Sequence, residues 1–319
     1  MKKAKIISLA GMVAVGALAI SGCTSDIQGS SSGEQDGTVE SVGLMVQDLG
    51  NPFFASMSNG VEAKAKEIGA TFTAQDGRQD LGAQNDQIDA FIQQGIDVLL
   101  INAVDSEGIG PAVQRARDAG ITVVAVDVGA KNAEATVTTD NVQAGKLACE
   151  SLIEQIGGAG DILIVDGTPT TSIQDRVEGC EEALAEHPDV KVVGQQNGDN
   201  GRGKGLTLTT DMLTASPDVV GIFGVNDPTA LGANLAAQQA GKTDIVITGV
   251  DGSPEAIAEM EKASSMFKGT AAQDPNLLGA TALEMGVKLR AGETLDDDLV
   301  LVPSSIVDNS NLSSYKGWQ

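Results

Sequence analysis

The feature that most constrains the fold is a regular alternation of short apolar runs and amphipathic stretches that begins near residue 41. The runs are continuous and rich in β-branched residues, which is typical of strands buried on both faces of a sheet. They are Val42–Val46, Val98–Ile101, Ile121–Val126, Ile162–Val165, Val219–Phe223 and Ile245–Ile247. Alternating strands and helices predict a parallel sheet with helices on both sides. There are too many such units for one small sheet, so we predict two α/β lobes.

One intervening stretch shows the helical pattern clearly. Met57, Val61, Ala65 and Ile68 recur at the spacing of one helix face, and Gly69 is a typical stop. We therefore predict a helix that ends at this glycine.

The first 22 residues have the pattern of a secretion signal. Three lysines precede an uncharged run, residues 6–22, which is too short to be a comfortable transmembrane helix. The run ends in Ile20-Ser21-Gly22-Cys23, which resembles a bacterial lipobox. The pattern predicts removal of residues 1–22 and lipid attachment at Cys23. The alternative is an ordinary signal peptide with an unrelated cysteine.

Residues 23–40 predict a flexible tether. The segment is rich in Ser, Gly and acidic residues and has too few apolar side chains to fold. A tether of this length reaches about 20 Å. We expect an exported protein held by its lipid on the outer face of the cell membrane. A Gram-positive surface is favoured over a Gram-negative periplasm, because free diffusion would lose the protein from a single-membrane cell.

The two remaining cysteines, Cys149 and Cys180, suggest a disulfide, because an exported protein meets an oxidising environment. Two buried thiols are the alternative. The formal net charge of −24 argues against nucleic acid as a partner, since phosphate binding needs a basic surface. His187 is the only histidine, and we expect neither a metal site nor a cofactor.

Polar side chains follow four of the predicted strands, at the point where each strand ends. They are Asn102, Asp127, Asn226 and Asp251. In open α/β sheets, ligands bind just beyond the carboxyl ends of the strands. Four such residues predict a binding cleft rich in hydrogen-bonding groups.

Several motifs, in order and spacing, resemble the ribose-binding family of periplasmic-type solute-binding proteins. They are Asn51-Pro52-Phe53-Phe54, Leu99-Leu100-Ile101-Asn102 with Asp105-Ser106, Asp140-Asn141, Arg176-Val177-Glu178-Gly179, Phe223 through Asn226-Asp227, and Gly249-Val250-Asp251-Gly252-Ser253-Pro254. The resemblance covers residues 41–303.

This resemblance implies a type I periplasmic binding protein fold, with two doubly wound parallel-sheet lobes joined by three hinge crossings. The crossings are expected near Asp140, Gln273 and Pro303. The N-terminal lobe would comprise residues 41–140 plus 274–303. The C-terminal lobe would comprise residues 141–273 plus 304–319.

The resemblance also implies which residues contact the ligand. They are Asn51, Phe53, Phe54, Asn102, Asp127, Arg176, Asn226, Asp251 and Gln273. An aromatic ring suits the C–H face of a sugar, while carboxylates, Arg and Asn suit its oxygens. Two positions depart from the ribose proteins, which carry Arg where this chain has Val128 and Phe where it has Asn200. A different pentose, a deoxy sugar or a sugar alcohol is therefore expected rather than ribose.

The family's function is capture of a sugar or polyol for an ABC permease with its ATPase, by a monomer without a cofactor. The alternative is a sensor that presents a sugar or furanose-like signal to a membrane receptor. Residues 198–205 nearly match a phosphate-binding loop, but Gly205 stands where that loop has Ser or Thr. A glycosidase based on Asp127 and Asp251 is a further alternative, which we disfavour.

Overall fold

The computed structural model of the protein describes residues 37–318, so Cys23 and most of the predicted tether lie outside the described residues. The strands are β1 (Ser41–Val46), β2 (Thr71–Asp76), β3 (Val98–Ile101), β4 (Thr122–Val126), β5 (Ala135–Thr139), β6 (Gly160–Asp166), β7 (Val190–Asn197), β8 (Gly221–Gly224), β9 (Val246–Asp251), β10 (Phe267–Ala272), β11 (Leu299–Val302) and β12 (Ser305–Asp308). The helices are α1 (Pro52–Ile68), α2 (Leu81–Gln94), α3 (Gly110–Asp118), α4 (Asn141–Gln155), α5 (Thr171–Ala185), α6 (Arg202–Ala215), α7 (Asp227–Gln239), α8 (Pro254–Met260) and α9 (Pro275–Arg290).

The strands form two six-stranded sheets. The first has the order β11-β5-β4-β3-β1-β2 and is parallel throughout. The second has the order β12-β10-β9-β8-β6-β7 and is parallel except for the β10–β12 pair. Each sheet has one apolar cluster on each face. The prediction of two doubly wound α/β lobes is confirmed. We call the first sheet with α1–α3 and α9 the N-lobe, and the second sheet with α4–α8 the C-lobe.

Helix α1 forms where its sequence pattern predicts it. The Asn51 side chain accepts a hydrogen bond from the Phe53 backbone N–H at 3.0 Å, and this capping contact begins the helix. Gly69 ends the helix at a φ of 78°, a backbone conformation that favours glycine. Met57 and Val61 are fully buried on the predicted face, whereas Ile68, in the last turn, is 39% exposed.

The chain passes between the two sheets three times, at residues 139–141, 272–275 and 302–305. Hydrogen bonds hold the three segments side by side. The backbone N–H of Asp140 donates to the carbonyl of Val302 at 2.8 Å, and the Ser304 hydroxyl donates to the carbonyl of Ala272 at 2.8 Å. These segments form the connection about which the lobes can rotate.

A disulfide joins Cys149 in α4 to Cys180 in α5, with 5.1 Å between the Cα atoms. The two helices cross in backbone contact. A Cβ atom on Gly179 would lie 1.9 Å from the carbonyl oxygen of Val142, so no larger residue fits there without displacing α4. The disulfide and this close crossing fix one face of the C-lobe.

Two residues from the end of the predicted tether belong to the folded body. Val39 packs against the N-lobe core, and the Glu40 backbone N–H donates to Asp97 at 2.9 Å. None of the helices within residues 37–318 has the length and apolar character needed to cross a bilayer.

Candidate functional site

A cavity lies between the lobes, at the carboxyl ends of the strands. Together with the solvent space at its mouth, it comprises about 430 Å³ that protein atoms do not fill. The N-lobe, the C-lobe and the second crossing all contribute to its wall. Of the nine residues predicted for the site, eight line it: Asn51, Phe53, Phe54, Asp127, Arg176, Asn226, Asp251 and Gln273.

The aromatic part of the wall comes from the start of α1. The rings of Phe53 and Phe54 meet edge to face, with centroids 5.5 Å apart and planes at 87°. Both side chains also belong to the N-lobe core. Their position is therefore fixed by packing before any ligand binds.

Asp127 has one carboxylate oxygen that is hydrogen-bonded and one that is not. Its Oδ2 atom accepts a hydrogen bond from the Asn102 amide at 2.8 Å. Its Oδ1 atom is buried and has no hydrogen-bond partner among residues 37–318. Burial raises the pKa of Asp127 to about 6, against the lowering effects of the Arg176 charge and the Asn102 hydrogen bond. Oδ1 is thus a strong acceptor when the carboxylate is ionised.

Asn102, the ninth predicted residue, lies behind Asp127 rather than on the cavity wall. Its amide also donates to the Val126 carbonyl at 3.1 Å, and its Oδ1 accepts from the Gln47 backbone N–H at 3.3 Å. It therefore orients Asp127 and joins the ends of three neighbouring strands.

Arg176 and Asp251 form the charged pair of the C-lobe wall. The Arg176 guanidinium donates to Asn141 Oδ1 at 2.8 Å and to the Val225 carbonyl at 3.0 Å, and it lies 3.6 Å from Asp251 Oδ1. These contacts fix the guanidinium plane. The charge can then bind a ligand oxygen without a reorganisation cost.

Gln273 connects Asp251 to the N-lobe. Its amide nitrogen donates to Asp251 Oδ1 at 2.8 Å, and its amide oxygen accepts from the Thr139 hydroxyl at 2.6 Å. Burial and the neighbouring Asp227 carboxylate raise the pKa of Asp251 well above its usual range, although Arg176 opposes this. The second crossing is therefore part of the site.

The cavity wall also contains residues that the sequence did not single out as contacts. They are Gln47, Gln79, Thr170, Ser172 and Ile173, together with Asn200. Gln47 follows β1 directly. The search for polar residues at strand ends, which identified Asn102 after β3, could also have identified Gln47. Thr170 and Ser172 precede or begin α5, and no local signal indicates them.

The two positions that depart from the ribose proteins have different surroundings. Asn200 lines the cavity, where its side-chain amide donates to the Thr168 hydroxyl at 2.6 Å and its backbone carbonyl accepts from the Asn226 side-chain amide at 3.1 Å. Val128 is 1% exposed and packs in the N-lobe core.

The segment that resembles a phosphate loop has a different arrangement. Lys204, its lysine, pairs with Asp199 at 2.7 Å on the surface. Residues 37–318 contain no group of three or more His, Cys, Asp or Glu side chains placed to hold a metal ion.

The sequence of both lobes matches a known protein family. Residues 42–294 match the family described as periplasmic binding protein domain. The chain belongs to this family. The resemblance to type I, ribose-binding-like sugar-binding proteins is confirmed. The family is one of solute-binding proteins rather than enzymes, so the glycosidase alternative is set aside.

Two curated relatives illustrate the range of this periplasmic binding protein family. The chain is 35% identical over 246 residues to the ribose import binding protein of Bacillus subtilis, which is 76% of this chain and 79% of that protein. It is 27% identical over 277 residues to the xylitol-binding protein of Mycolicibacterium smegmatis, which is 85% of this chain and 78% of that protein.

Solved structures of other periplasmic binding proteins superpose closely on this one. An ABC transporter solute-binding protein from Mycobacterium smegmatis with bound glycerol has a TM-score of 0.82 and 30% identity, covering 88% of this chain and 98% of its own. One from Actinobacillus succinogenes with bound D-allose has a TM-score of 0.81 and 28% identity, covering 86% of this chain and 100% of its own.

Proposed function

We propose that this protein is the solute-binding component of an ABC importer and captures a monosaccharide or sugar alcohol between its closing lobes. The observation that carries the proposal is the buried Oδ1 of Asp127, which has no hydrogen-bond partner among residues 37–318 and belongs to a residue that lines the same cavity as the charged pair Arg176 and Asp251. Burying a carboxylate oxygen without a partner is costly, so a ligand that donates to it gains affinity.

The chemistry of the wall suits a polyhydroxylated ligand. Hydroxyl groups can donate to the carboxylates of Asp127 and Asp251 and accept from Arg176. The C–H faces of the same ligand can pack against Phe53 and Phe54.

We further propose a pentose-like ligand, a deoxy sugar or a polyol rather than ribose. Val128 contributes no hydrogen-bond donor and is buried in the core. Asn200 presents an amide where an aromatic ring would offer a stacking face. Two relatives are named for xylitol, a sugar alcohol, and for apiose, a pentose, which is consistent with this range of ligands.

Capture follows from the two-lobed geometry. A ligand that touches both walls binds the closed arrangement better than the open one and so shifts the population towards closure. The closed pair of lobes is then the form presented to an ABC permease, whose ATPase supplies the energy. We propose a monomer with no cofactor.

The location follows from the N-terminal pattern. We propose export, cleavage after residue 22 and lipid anchoring at Cys23 to the outer face of the cell membrane. Metabolic labelling with an alkyne fatty acid should mark the wild-type chain but not a Cys23→Ala variant. Labelling of both chains, or of neither, contradicts the anchor.

A thermal-shift panel tests the ligand class. D-ribose, xylitol, D-allose, D-apiose and myo-inositol are each added to the purified protein. A ligand at a hundredfold excess over its Kd adds about 2.7 kcal/mol to the free energy of unfolding, which raises Tm by several degrees. Stabilisation by at least one compound other than ribose is expected. Failure of the whole panel contradicts sugar binding, and ribose as the strongest ligand contradicts the narrower assignment.

An uptake assay tests the partner. Cells that lack this protein should lose import of the compound that stabilises it. Unchanged import together with lost transcriptional induction by that compound would instead support the receptor-linked sensor.

A further inference from the structure

The last described residues fasten the C-terminal tail to the C-lobe beside the cavity. The Tyr315 hydroxyl donates to the Gly252 carbonyl at 3.0 Å, and the Trp318 indole N–H donates to the Asp251 carbonyl at 2.8 Å. Burial raises the pKa of Tyr315, so its hydroxyl remains a donor at neutral pH. Because two side chains bond two consecutive carbonyls, the tail moves with the C-lobe.

The ring of Trp318 contacts the other lobe. It meets Phe53 edge to face, with centroids 5.6 Å apart and planes at 80°, and it packs against the N-lobe core. Phe53 in turn meets Phe54 in the same way, and both line the ligand cavity. The indole is thus bonded to one lobe and packed on the other.

Both contacts of Trp318 reach residues of the cavity wall. The N–H bonds the backbone of Asp251, whose φ of 140° is rare for any residue except glycine. The ring packs against Phe53. Separation of the lobes would therefore remove the indole from Phe53 while leaving its N–H bond to the C-lobe intact.

We propose that Trp318 is a positioning residue of the binding site: it couples closure of the lobes to assembly of the aromatic wall. Its role in ligand capture rests on the proposed function, whereas its effect on closure does not. An edge-to-face aromatic contact favours the state that contains it by roughly three- to tenfold. Without the indole, the ratio of closed to open protein should fall by that factor.

The chain offers a direct reporter, because Trp318 is its only tryptophan. The indole also lines a crevice between the lobes with Pro52 of the N-lobe and Pro228 and Pro254 of the C-lobe. Opening would split this crevice and expose the ring. Acrylamide quenching of the intrinsic fluorescence should therefore fall when a ligand closes the lobes.

The first arm of the test needs no ligand. Small-angle scattering is compared for the wild-type protein and the variants Trp318→Ala, Trp318→Phe and Tyr315→Phe. The alanine variant should have a larger radius of gyration, shifted towards the open form. The phenylalanine variant at position 318 should lie between the two, because it retains a ring. Tyr315→Phe, which loses only a contact within the C-lobe, is the matched control.

The second arm uses the panel compound that stabilises the protein most. Trp318→Ala should raise its Kd three- to tenfold, mainly through faster dissociation, with Tyr315→Phe within twofold of wild type. Identical scattering profiles for wild type and Trp318→Ala overturn the inference. So does an equal loss of affinity in Tyr315→Phe. If no compound binds, the proposed function fails, and the scattering arm still decides the role of Trp318 in closure.

Discussion

The Oγ1 atom of Thr171 in the C-lobe accepts a hydrogen bond of 2.8 Å from the backbone N–H of Gly129 in the N-lobe. The backbone N–H of Thr171 also lies 3.4 Å from the Ser106 hydroxyl of the N-lobe. Neither contact belongs to the three crossings. They join the lobes directly and exist only while the lobes are closed.

Replacing Thr171 by Val should therefore weaken ligand binding. The variant keeps the shape of the side chain but removes the acceptor, so the closed form loses one hydrogen bond and Kd rises roughly two- to tenfold. Isothermal titration with the strongest panel compound measures this. Thr207→Val is the matched control, because that hydroxyl bonds only the Gly203 carbonyl within α6. Equal losses in both variants would contradict a role for the interlobe contact.

Asp127→Asn should abolish tight binding and stabilise the unliganded protein. The pKa of about 6 in the folded state lies above the ordinary value of 3.8, so ionisation at pH 7 costs the folded state roughly 1–3 kcal/mol. The amide removes that cost, whereas the ligand loses a charged acceptor and at least tenfold in affinity. Urea unfolding and calorimetry give the two quantities. A variant that is less stable and binds normally would refute the assignment.

The raised pKa of Asp127 also predicts that the stability of the unliganded protein depends on pH. A raised carboxyl pKa adds stability that is present below the unfolded value and is lost as pH rises through the folded value. Asp127 and Asp227, whose pKa burial also raises to about 6, should each make the unliganded protein more stable at pH 5 than at pH 7. Ligand affinity should change in the opposite direction, because Asp127 accepts best when ionised. Since other carboxylates titrate too, the informative measurement is the stability gain of Asp127→Asn, which should shrink between pH 7 and pH 5.

Gly179→Ala should destabilise the C-lobe. The new methyl group would lie 1.9 Å from the Val142 carbonyl and 2.8 Å from the Lys146 backbone nitrogen, so α4 and α5 must separate. A loss of about 1–3 kcal/mol and weaker binding through displaced Arg176 are expected. Gly203→Ala in α6 is the control, because nothing lies within 4 Å of its added methyl group, and it should be neutral or stabilising. Chemical denaturation of both variants settles the comparison.

Removal of the disulfide should lower stability without changing the site. The bond closes a segment with a sequence separation of 31, which corresponds to about 3–4 kcal/mol of unfolded-state entropy. The double variant Cys149→Ala, Cys180→Ala should melt several degrees lower by scanning calorimetry and bind its ligand at 25 °C within twofold of wild type. An unchanged Tm would show that the bond contributes no net stability.

The strands that the sequence predicted are three of the four inner strands of each sheet, β1, β3 and β4 in one and β6, β8 and β9 in the other. Helices cover these strands on both faces, which requires the continuous apolar runs that the sequence shows. The outer strands carry a weaker signal. β2 and β7 lie at sheet edges and expose much of their length, so Thr73 and Lys191 interrupt any apolar run.

The site was predictable where it depends on strand ends and unpredictable where it depends on contact between the lobes. Asp127 follows an inner strand of the N-lobe and Asp251 ends an inner strand of the C-lobe, so the parallel order places each at the ligand-binding edge of its own sheet. Thr170 and Ser172 lie beyond the carboxyl end of β6, just before and within the first turn of α5, and they complete the site only because the two lobes face each other across the cavity. That Asn102 lies behind Asp127 depends on side-chain direction, which strand position alone does not specify.

The N-lobe is built from the first and the last parts of the chain. Leu278 and Leu283 of α9 fill the core beside Met57 of α1, and Arg290 pairs with Asp97, 193 positions earlier, at 2.8 Å. During synthesis, β1, β3 and β4 therefore lack the cover that α9 provides for one apolar face until the whole C-lobe has been made. A chain that cannot complete its first lobe early stays extended longer. That delay suits passage through a secretion channel, where premature folding would block transit.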